Sequence, residues 1–489
     1  MRQADGLDLL VIGGGVNGAG IARDAAGRGL KVVLCEAGDL ASGTSSASSK
    51  LVHGGLRYLE FGEVGLVRKA LAERDRLLRA APHIAWPQPF LLPLVSEGRP
   101  AWLIRLALLA YDHLAPRRRL PRSARVDLRS DVGGWALKRE IRQAFRYFDG
   151  WVEDARLVVL LARDAARRGA RILTREAVTA ARLQDGWWEV TTSSGRTLVA
   201  RRIVNATGPW AGRVAREVLK AADAPRLRLV QGAHLVVRRV NRTADAFTLQ
   251  QPDRRIVFLL PFGRDLSLLG TTETPVPTPD HPQVTAAEEA YLLAAANRVL
   301  RRPLSEADVR HRFAGVRPLV LEERRSDRET TRDWRFVDHA GLPATTVVGG
   351  KLTTFRRLAE ELVSRLFPHT RPWTAEAVLP GGDIPDVGGR TPRANFEAWA
   401  RQLARRFPDH DPRLVHRLAG LYGTDAEGLL AGGLGARAPD GLFEAEAAFL
   451  KAEEFAHTRE DMLWRRTRLG LAALARPGWP ARPRDLVSS

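Results

Sequence analysis

Leu7-Asp-Leu-Leu-Val-Ile-Gly13-Gly-Gly15-Val-Asn17-Gly18-Ala-Gly-Ile-Ala-Arg-Asp-Ala-Ala-Gly-Arg-Gly-Leu-Lys31-Val-Val-Leu-Cys35-Glu36 is the stretch that decides the fold. An apolar run from Leu7 to Ile12 predicts a strand, and Val16 to about Arg28 predicts a helix. Lys31 to Glu36 predicts a second strand, so one βαβ unit and a parallel sheet open the chain. The glycines between strand and helix satisfy G-x-G-x-x-G. Gly13 permits the tight turn, Gly15 lets a pyrophosphate approach the backbone, and Gly18 allows close helix–strand packing. Phosphates then lie at the positive end of the helix, and Glu36 can accept hydrogen bonds from ribose hydroxyls. A dinucleotide is expected.

Which dinucleotide follows from the next segment. Thr44-Ser-Ser-Ala-Ser-Ser-Lys-Leu-Val-His-Gly-Gly-Leu-Arg-Tyr-Leu-Glu60 offers many small donors and the bare pair Gly54-Gly55. Such a segment can run flat along a long cofactor, which favours FAD; a nicotinamide enzyme usually continues with another βαβ helix. Ile203-Val-Asn-Ala-Thr-Gly-Pro-Trp210 is an apolar strand running into a turn of small residues. Thr346-Val-Val-Gly-Gly-Lys-Leu-Thr-Thr-Phe355 is a second glycine turn opening a helix, read over Leu352 to Leu366. A helix N-terminus there places positive potential near the pyrimidine edge of a flavin, where reduced flavin carries charge.

The rest of the chain reads as an α/β protein with an all-helical end. Residues 37–60 read as an ordered loop with a short helix, and Leu66 to Arg79 as an amphipathic helix. Pro82, Pro87, Pro89, Pro93 and Pro100 read as breaks. A helix over 155–168 leads into β runs at 171–183, 187–193 and 197–204, and 227–275 is again strand-rich. Pro380-Gly-Gly-Asp-Ile-Pro385 and Gly388-Gly389 read as a linker before helices over 393–475. Residues 1–385 are expected to combine flavin segments (about 1–60, 151–215, 340–370) with substrate segments (about 61–150, 220–339), and 386–489 to form a separate helical domain.

With 489 residues, 45% hydrophobic and 27% charged, the chain can bury a large core, which excludes wholesale disorder. Cys35 is the only cysteine, so an intrachain disulfide and a cysteine-rich metal site are excluded; no metal is expected, and a reducing compartment fits. The net charge is +20, from 76 basic and 56 acidic side chains, which suits an anionic substrate or lipid surface. No zinc-finger, basic-zipper or aromatic RNA-binding signature accompanies it, so nucleic acid is not expected as a partner. No signal peptide is expected from the polar Met1 to Asp8. The apolar run Ala101 to Tyr111, followed by Arg117-Arg-Arg119, is too short to span a bilayer; it reads as a helix lying on an anionic membrane or as a buried helix.

Taken together, these motifs resemble the FAD-dependent, quinone-reducing glycerol-3-phosphate dehydrogenases. The likeness rests on Gly13 to Gly20, Thr44 to Glu60, Arg105 with Tyr111-Asp-His-Leu114, Trp151 to Leu157, Val204 to Trp210, Gly315-Val-Arg-Pro-Leu319, Gly349 to Thr354 and Leu463-Trp-Arg-Arg-Thr467. It implies a Rossmann-like FAD-binding domain of the D-amino-acid-oxidase and glutathione-reductase type, an antiparallel-sheet substrate domain and a C-terminal helical cap. It also implies oxidation of sn-glycerol 3-phosphate to dihydroxyacetone phosphate, with electrons passed to ubiquinone or another quinone. The expected location is the cytoplasmic side of the inner membrane, bound peripherally, with a homodimer as one assembly. A soluble oxidase using oxygen is the alternative. Two positions depart from the pattern: Glu273 stands where Asp is expected, and Ala233 where Ser is expected.

The resemblance and the motifs together name the site. Flavin-binding residues are expected at Gly13, Gly15, Asn17, Gly18, Glu36, Thr44, Ser45, Ser46, Ser49, Lys50, His53, Gly54 and Gly55. Val178, Ala206, Thr207, Gly208, Gly350, Lys351, Leu352 and Thr353 complete that set. Substrate contacts are expected from Arg57, Tyr58, Thr272 and Arg332. Arg317 and Lys351 are the catalytic cations, because arginine grips oxyanions bidentately and a lysine can polarise the reacting oxygen. His53 and His234 are the two candidate bases, since imidazole titrates near working pH, and the sequence does not choose between them.

Overall fold

A computed structural model describes residues 6–114, 120–320 and 334–474. The opening βαβ unit is present as β1 (Leu7–Ile12), α1 (Val16–Gly27) and β2 (Val32–Glu36). β1 and β2 pair in parallel with Leu9 beside Val32 and Ile12 beside Cys35. On its other edge β1 pairs in parallel with Thr197–Asn205, and that strand pairs in parallel with Ala344–Val348. The sheet therefore runs Arg335–Asp338, Ala344–Val348, Thr197–Asn205, β1, β2, Arg171–Thr174. Three strands thus end side by side at the three glycine-rich turns predicted to meet a flavin. Strands such as Leu9-Leu-Val-Ile12 are apolar throughout because both faces are covered.

Residues 171–183 form two strands, Arg171–Thr174 and Val178–Gln184, instead of one. Arg175 takes a left-handed φ of 57°, and the N–H groups of Arg175 and Glu176 donate to Gly38 O and Glu36 O, each at 2.8 Å. Bonding to the loop after β2 removes those N–H groups from the ladder and turns the chain. The helix read from Leu352 begins at Phe355, because Gly349 and Gly350 have φ of 76° and 90° and Lys351–Thr354 form a closing turn first.

The second sheet is mainly antiparallel and carries the long strands Leu227–Arg238 and Val309–Val320. Ala85–Pro93 and Gln143–Val152 extend it, and Leu51–Val52 adds a short outer pair. The reading of Pro87, Pro89 and Pro93 as breaks is corrected here: all three lie within Ala85–Pro93. They sit at odd positions, so their missing N–H groups face one edge of the strand. That edge meets a neighbour, Ala246–Gln250, only at Phe90 and Leu91. One face of this sheet packs with helix Ala286–Asn297 around Leu235, Leu259 and Leu292.

From Thr391 onward the described chain is helical around a core of Phe396, Trp399, Leu418, Tyr422 and Leu450. Thr391 and Asp411 cap helices that begin with Pro392 and Pro412, the residue type that suits a first helical position. Buried ion pairs fasten these helices to the parallel sheet. Arg156 bonds Glu454, and Arg466 grips Asp39 in two contacts of 2.7 Å.

Candidate active site

Glu36 ends β2 beside the glycine turn, and its carboxylate accepts the N–H of Gly14 at 2.6 Å and of Gly38 at 2.7 Å. Burial pushes its pKa up, and the two N–H donors oppose that shift. The glycines are needed for space. A Cβ at Gly13, where φ is +109°, would fall 2.7 Å from Ala206 O; one at Gly18 would fall 1.9 Å from Gly13 O. At the start of α1, Val16 N–H donates to Ser45 Oγ at 3.0 Å. Asn17 Nδ2 donates to Gly349 O at 3.1 Å and so ties the first glycine turn to the last. Asn17 Oδ1 is buried with no protein partner, an acceptor that a ribityl hydroxyl could serve.

A cavity of about 1150 Å³ opens from these turns and reaches the second sheet. Most predicted residues line it. Gly13, Gly15, Asn17, Glu36, Thr44, Ser45, Ser49, His53 and Gly55 come from the first sixty residues. Val178, Ala206, Thr207, Gly208, Gly350, Lys351, Leu352 and Thr353 come from the later strands and turns, with Tyr58 and Arg317 opposite. A glycine-turn cradle, a helix N-terminus, an orphaned buried acceptor and a long cavity together fit FAD.

Other predicted residues stand elsewhere. Gly18 packs helix against strand. Lys50 is buried in an ion pair with Asp154 at 2.6 Å and donates to Ser46 O, which makes it a clamp on the 44–50 loop instead of a cofactor ligand. Ser46 and Gly54 are also outside the lining. Gly54 is glycine because a Cβ would lie 2.7 Å from Leu71 Cδ2. Thr272 is buried; its hydroxyl donates to Glu288 Oε1 at 2.7 Å and accepts Ala233 N–H at 2.9 Å, so it buttresses the wall and does not face the substrate. His234 is on the cavity side of its strand but lies beneath Ser49, 1% exposed, stacked on Phe313 at 5.0 Å, with Nε2 2.9 Å from Ser49 Oγ. Burial, aided by Arg317 and Lys50, pushes its pKa down to about 3, so it is neutral and out of reach as a base. Arg332 and Arg117–Arg119 lie outside the described residues, as does the side chain of Arg57.

The two cations expected to act in catalysis come from separate elements. Arg317 sits in Val309–Val320 opposite Val230, and its Nη2 donates to Thr271 Oγ1 at 3.4 Å. Lys351 Nζ stands 4.1 Å above the centre of the Tyr58 ring. His53 lines the cavity edge-on to Phe258, and its backbone N–H donates to Thr353 Oγ1 at 3.3 Å. Sequence reasoning missed Thr271, Glu273 and Arg255 on the wall, and Leu103, Ile104 and Ala107 of helix Ala101–His113. The alternation about Thr272 is the signal that would have found the first two. Of the two departures from the expected pattern, Ala233 is fully buried on the helix-covered side, away from the cavity, whereas Glu273 lines it.

Comparison with known proteins agrees with this geometry. A family described as FAD dependent oxidoreductase (DAO) matches residues 8–356. The D-erythritol 1-phosphate dehydrogenase of Brucella abortus is 45% identical over 487 residues, covering 96% of this chain and 95% of that protein. The aerobic glycerol-3-phosphate dehydrogenase of Escherichia coli is 42% identical over 485 residues, covering 95% and 94%. The crystal structure of the glycerol-3-phosphate dehydrogenase of Bacillus halodurans complexed with FAD superposes with a TM-score of 0.74 at 28% identity, covering 95% of this chain and 86% of that one. The expected D-amino-acid-oxidase type of fold is thus the one observed, with a helical C-terminal region added. The chain belongs to the FAD-dependent oxidoreductases, in the glycerol-3-phosphate dehydrogenase family, and its cofactor is FAD.

Proposed function

We propose that the chain oxidises the secondary hydroxyl beside a phosphorylated carbon, converting sn-glycerol 3-phosphate to dihydroxyacetone phosphate and delivering the electrons to a membrane quinone. The observation that carries this reading is the convergence of Arg317 and Lys351, from different elements, on the cavity that begins at the dinucleotide turn. When bound, FAD supplies the two-electron acceptor for the C2 hydride. Arg317 holds the phosphate dianion through charge-assisted hydrogen bonds. Lys351 polarises O2. His53, the histidine among the described residues of the lining, takes the hydroxyl proton as the C–O double bond forms.

Helix Ala101–His113 supports the quinone part of the reading. Leu103, Ile104, Leu106 and Ala107 line the cavity, while Trp102 is 69% exposed on the same helix and Leu106 is itself 58% exposed. An apolar helix that is both cavity wall and outer surface gives a lipid-soluble acceptor a way in, and lets the protein lie on the cytoplasmic face of the inner membrane. Among the described residues no helix is long and apolar enough to cross a membrane.

Anaerobic bleaching of the flavin band by a panel of polyol phosphates tests the substrate. The panel includes D-erythritol 1-phosphate, for which the Brucella relative is named. Reduction of a quinone dye with little peroxide supports the dehydrogenase. Peroxide in place of dye reduction would mean an oxidase, and no bleaching by any phosphate would sink the proposal.

A further inference from the structure

Gly270-Thr-Thr-Glu-Thr274 sends alternate side chains to two surroundings. Thr272 and Thr274 both donate to Glu288 Oε1, at 2.7 and 2.8 Å, inside the second sheet's support. Thr271 and Glu273, flanking Thr272, both line the cavity. Thr271 Oγ1 accepts from Arg317, so it marks the cationic end of this wall. Glu273 stands two residues further on, at most ~7 Å of chain away. Beyond it Arg255 also lines the cavity and shares its charge between two carboxylates. Its Nε donates to Asp253 Oδ2 at 2.6 Å, its guanidinium lies 4.2 Å over the Tyr291 ring, and Glu273 also acts on it, so this end keeps a net negative charge. The wall therefore carries a cation at one end and a carboxylate at the other, over a span comparable with a short polyol phosphate.

Such a wall is polar along its length. A phosphate dianion is attracted to the Arg317 end and repelled from the Glu273 end. A hydroxyl donor is suited to the carboxylate, which only accepts when ionised. We propose that Glu273 determines specificity by accepting a hydrogen bond from the substrate hydroxyl farthest from the phosphate, so that only polyol phosphates bearing that hydroxyl are held with the reacting carbon in place. The inference rests on the polyol-phosphate reading above and names the end of the substrate that the reading leaves open. It also predicts that a substrate one carbon longer is accepted, because a carboxylate can meet a hydroxyl at more than one chain length.

The test uses the holoenzyme and the ratio of anaerobic flavin-reduction efficiencies for two substrates. One is sn-glycerol 3-phosphate. The other is propane-1,2-diol 1-phosphate, which keeps the reacting hydroxyl and the phosphate but ends in a methyl group. The wild type should favour the first by about ten- to a hundredfold, the effect of leaving a charged hydrogen-bonding group without its donor. In Glu273→Ala the ratio should fall toward one, and Glu273→Gln, which keeps an acceptor, should lie between. A wild-type ratio near one overturns the proposal without any variant. So does a wild-type preference that survives unchanged in Glu273→Ala or Glu273→Gln. If neither phosphate reduces the flavin, the polyol-phosphate reading falls and this inference with it; bleaching with an unaltered ratio removes only the role of Glu273.

Discussion

Tyr111 Oη lies 2.8 Å from both carboxylate oxygens of Asp149 and accepts the N–H of Gly54 at 2.8 Å. Arg74 completes the network with a 3.0 Å contact to Asp149. The last turn of the helix that exposes Trp102 and Leu106 thereby holds the backbone between His53 and Gly55, both of which line the cavity. An exposed apolar surface and a cavity-lining loop share one phenol.

Tyr111→Phe keeps the ring and deletes that bond. The buried Gly54 N–H and Asp149 carboxylate each lose a hydrogen-bond partner, a loss of roughly 1–3 kcal/mol. The denaturation midpoint should fall with an unchanged slope. Flavin reduction should slow as well, through His53. A variant with wild-type midpoint and rate would show that the network is incidental.

Glu36→Ala removes the acceptor for Gly14 and Gly38 N–H and for any ribose hydroxyl at this turn. The purified variant should lose its yellow colour on dialysis. Its melting temperature should drop because the stabilisation by bound cofactor is gone, and added FAD should recover part of it. Full flavin retention with unchanged melting would take Glu36 out of the site.

Arg317→Leu should keep bound FAD, since Arg317 stands on the second sheet, away from the glycine turns. Efficiency on glycerol 3-phosphate should fall by about ten- to a hundredfold, matching charge-assisted bonds of roughly 1.5–3 kcal/mol each. Plain glycerol should be poor for both forms. Comparable use of glycerol and its phosphate by the wild type would mean that no phosphate clamp exists.

Trp102 and Leu109 are exposed on their helix and do not line the cavity. Liposome sedimentation should be stronger on anionic than on neutral vesicles at low salt, given the net charge of +20. A hydrophobic remainder should persist at high salt. Replacing both residues by Glu should abolish that remainder while glycerol 3-phosphate still bleaches the flavin. Equal recovery in the supernatant with either lipid would refute membrane docking.

Three histidines give the stability a definite pH dependence. Burial lowers His83 to about 3, His234 to about 3 and His311 to about 4, from an ordinary value of 6.5. Their folded pKa values lie below the unfolded one, so the unfolded chain takes up protons first as pH falls. The stability is complete above about 6.5 and is lost progressively down to about 3–4, by as much as ~1.4 kcal/mol per pH unit for each histidine. His83 is the cleanest probe, 1% exposed beside Arg156 and Arg393, with both ring nitrogens unpartnered. His83→Leu should flatten the acid side of a melting-temperature profile. An unchanged slope between pH 6.5 and 4 would count against a neutral buried imidazole.

What was legible in the sequence was what is local. Gly13, Gly18 and Glu36 could be placed because turn, helix packing and strand end lie within thirty residues, where periodicity and spacing act directly. The family likeness then carried Arg317, Lys351 and the Thr44–Glu60 run. Which way a side chain points was harder. Thr272 belongs to a motif that reaches the cavity, but strand alternation turns its side chain to the back; His234 is on the cavity side of its strand and is covered there by Ser49 and Phe313. Pro87 and Pro89 read as breaks because a lone sequence does not show which edge of a strand lacks a close-paired neighbour. Lys50 reads as a flavin-binding residue because its ion-pair partner, Asp154, stands far along the chain.

Asp39 is gripped by Arg465 and Arg466, residues more than four hundred positions later. Asp39 follows Glu36 by three residues, so the loop bordering the adenosine end is finished by nearly the last described turn of the chain. During synthesis the first forty residues leave the ribosome long before their final partner exists. The nucleotide cradle must therefore stand open through most of translation and be bolted only when the tail arrives. Of the described residues, none from Arg465 onward lines the cavity, yet losing them would leave that cradle unlatched.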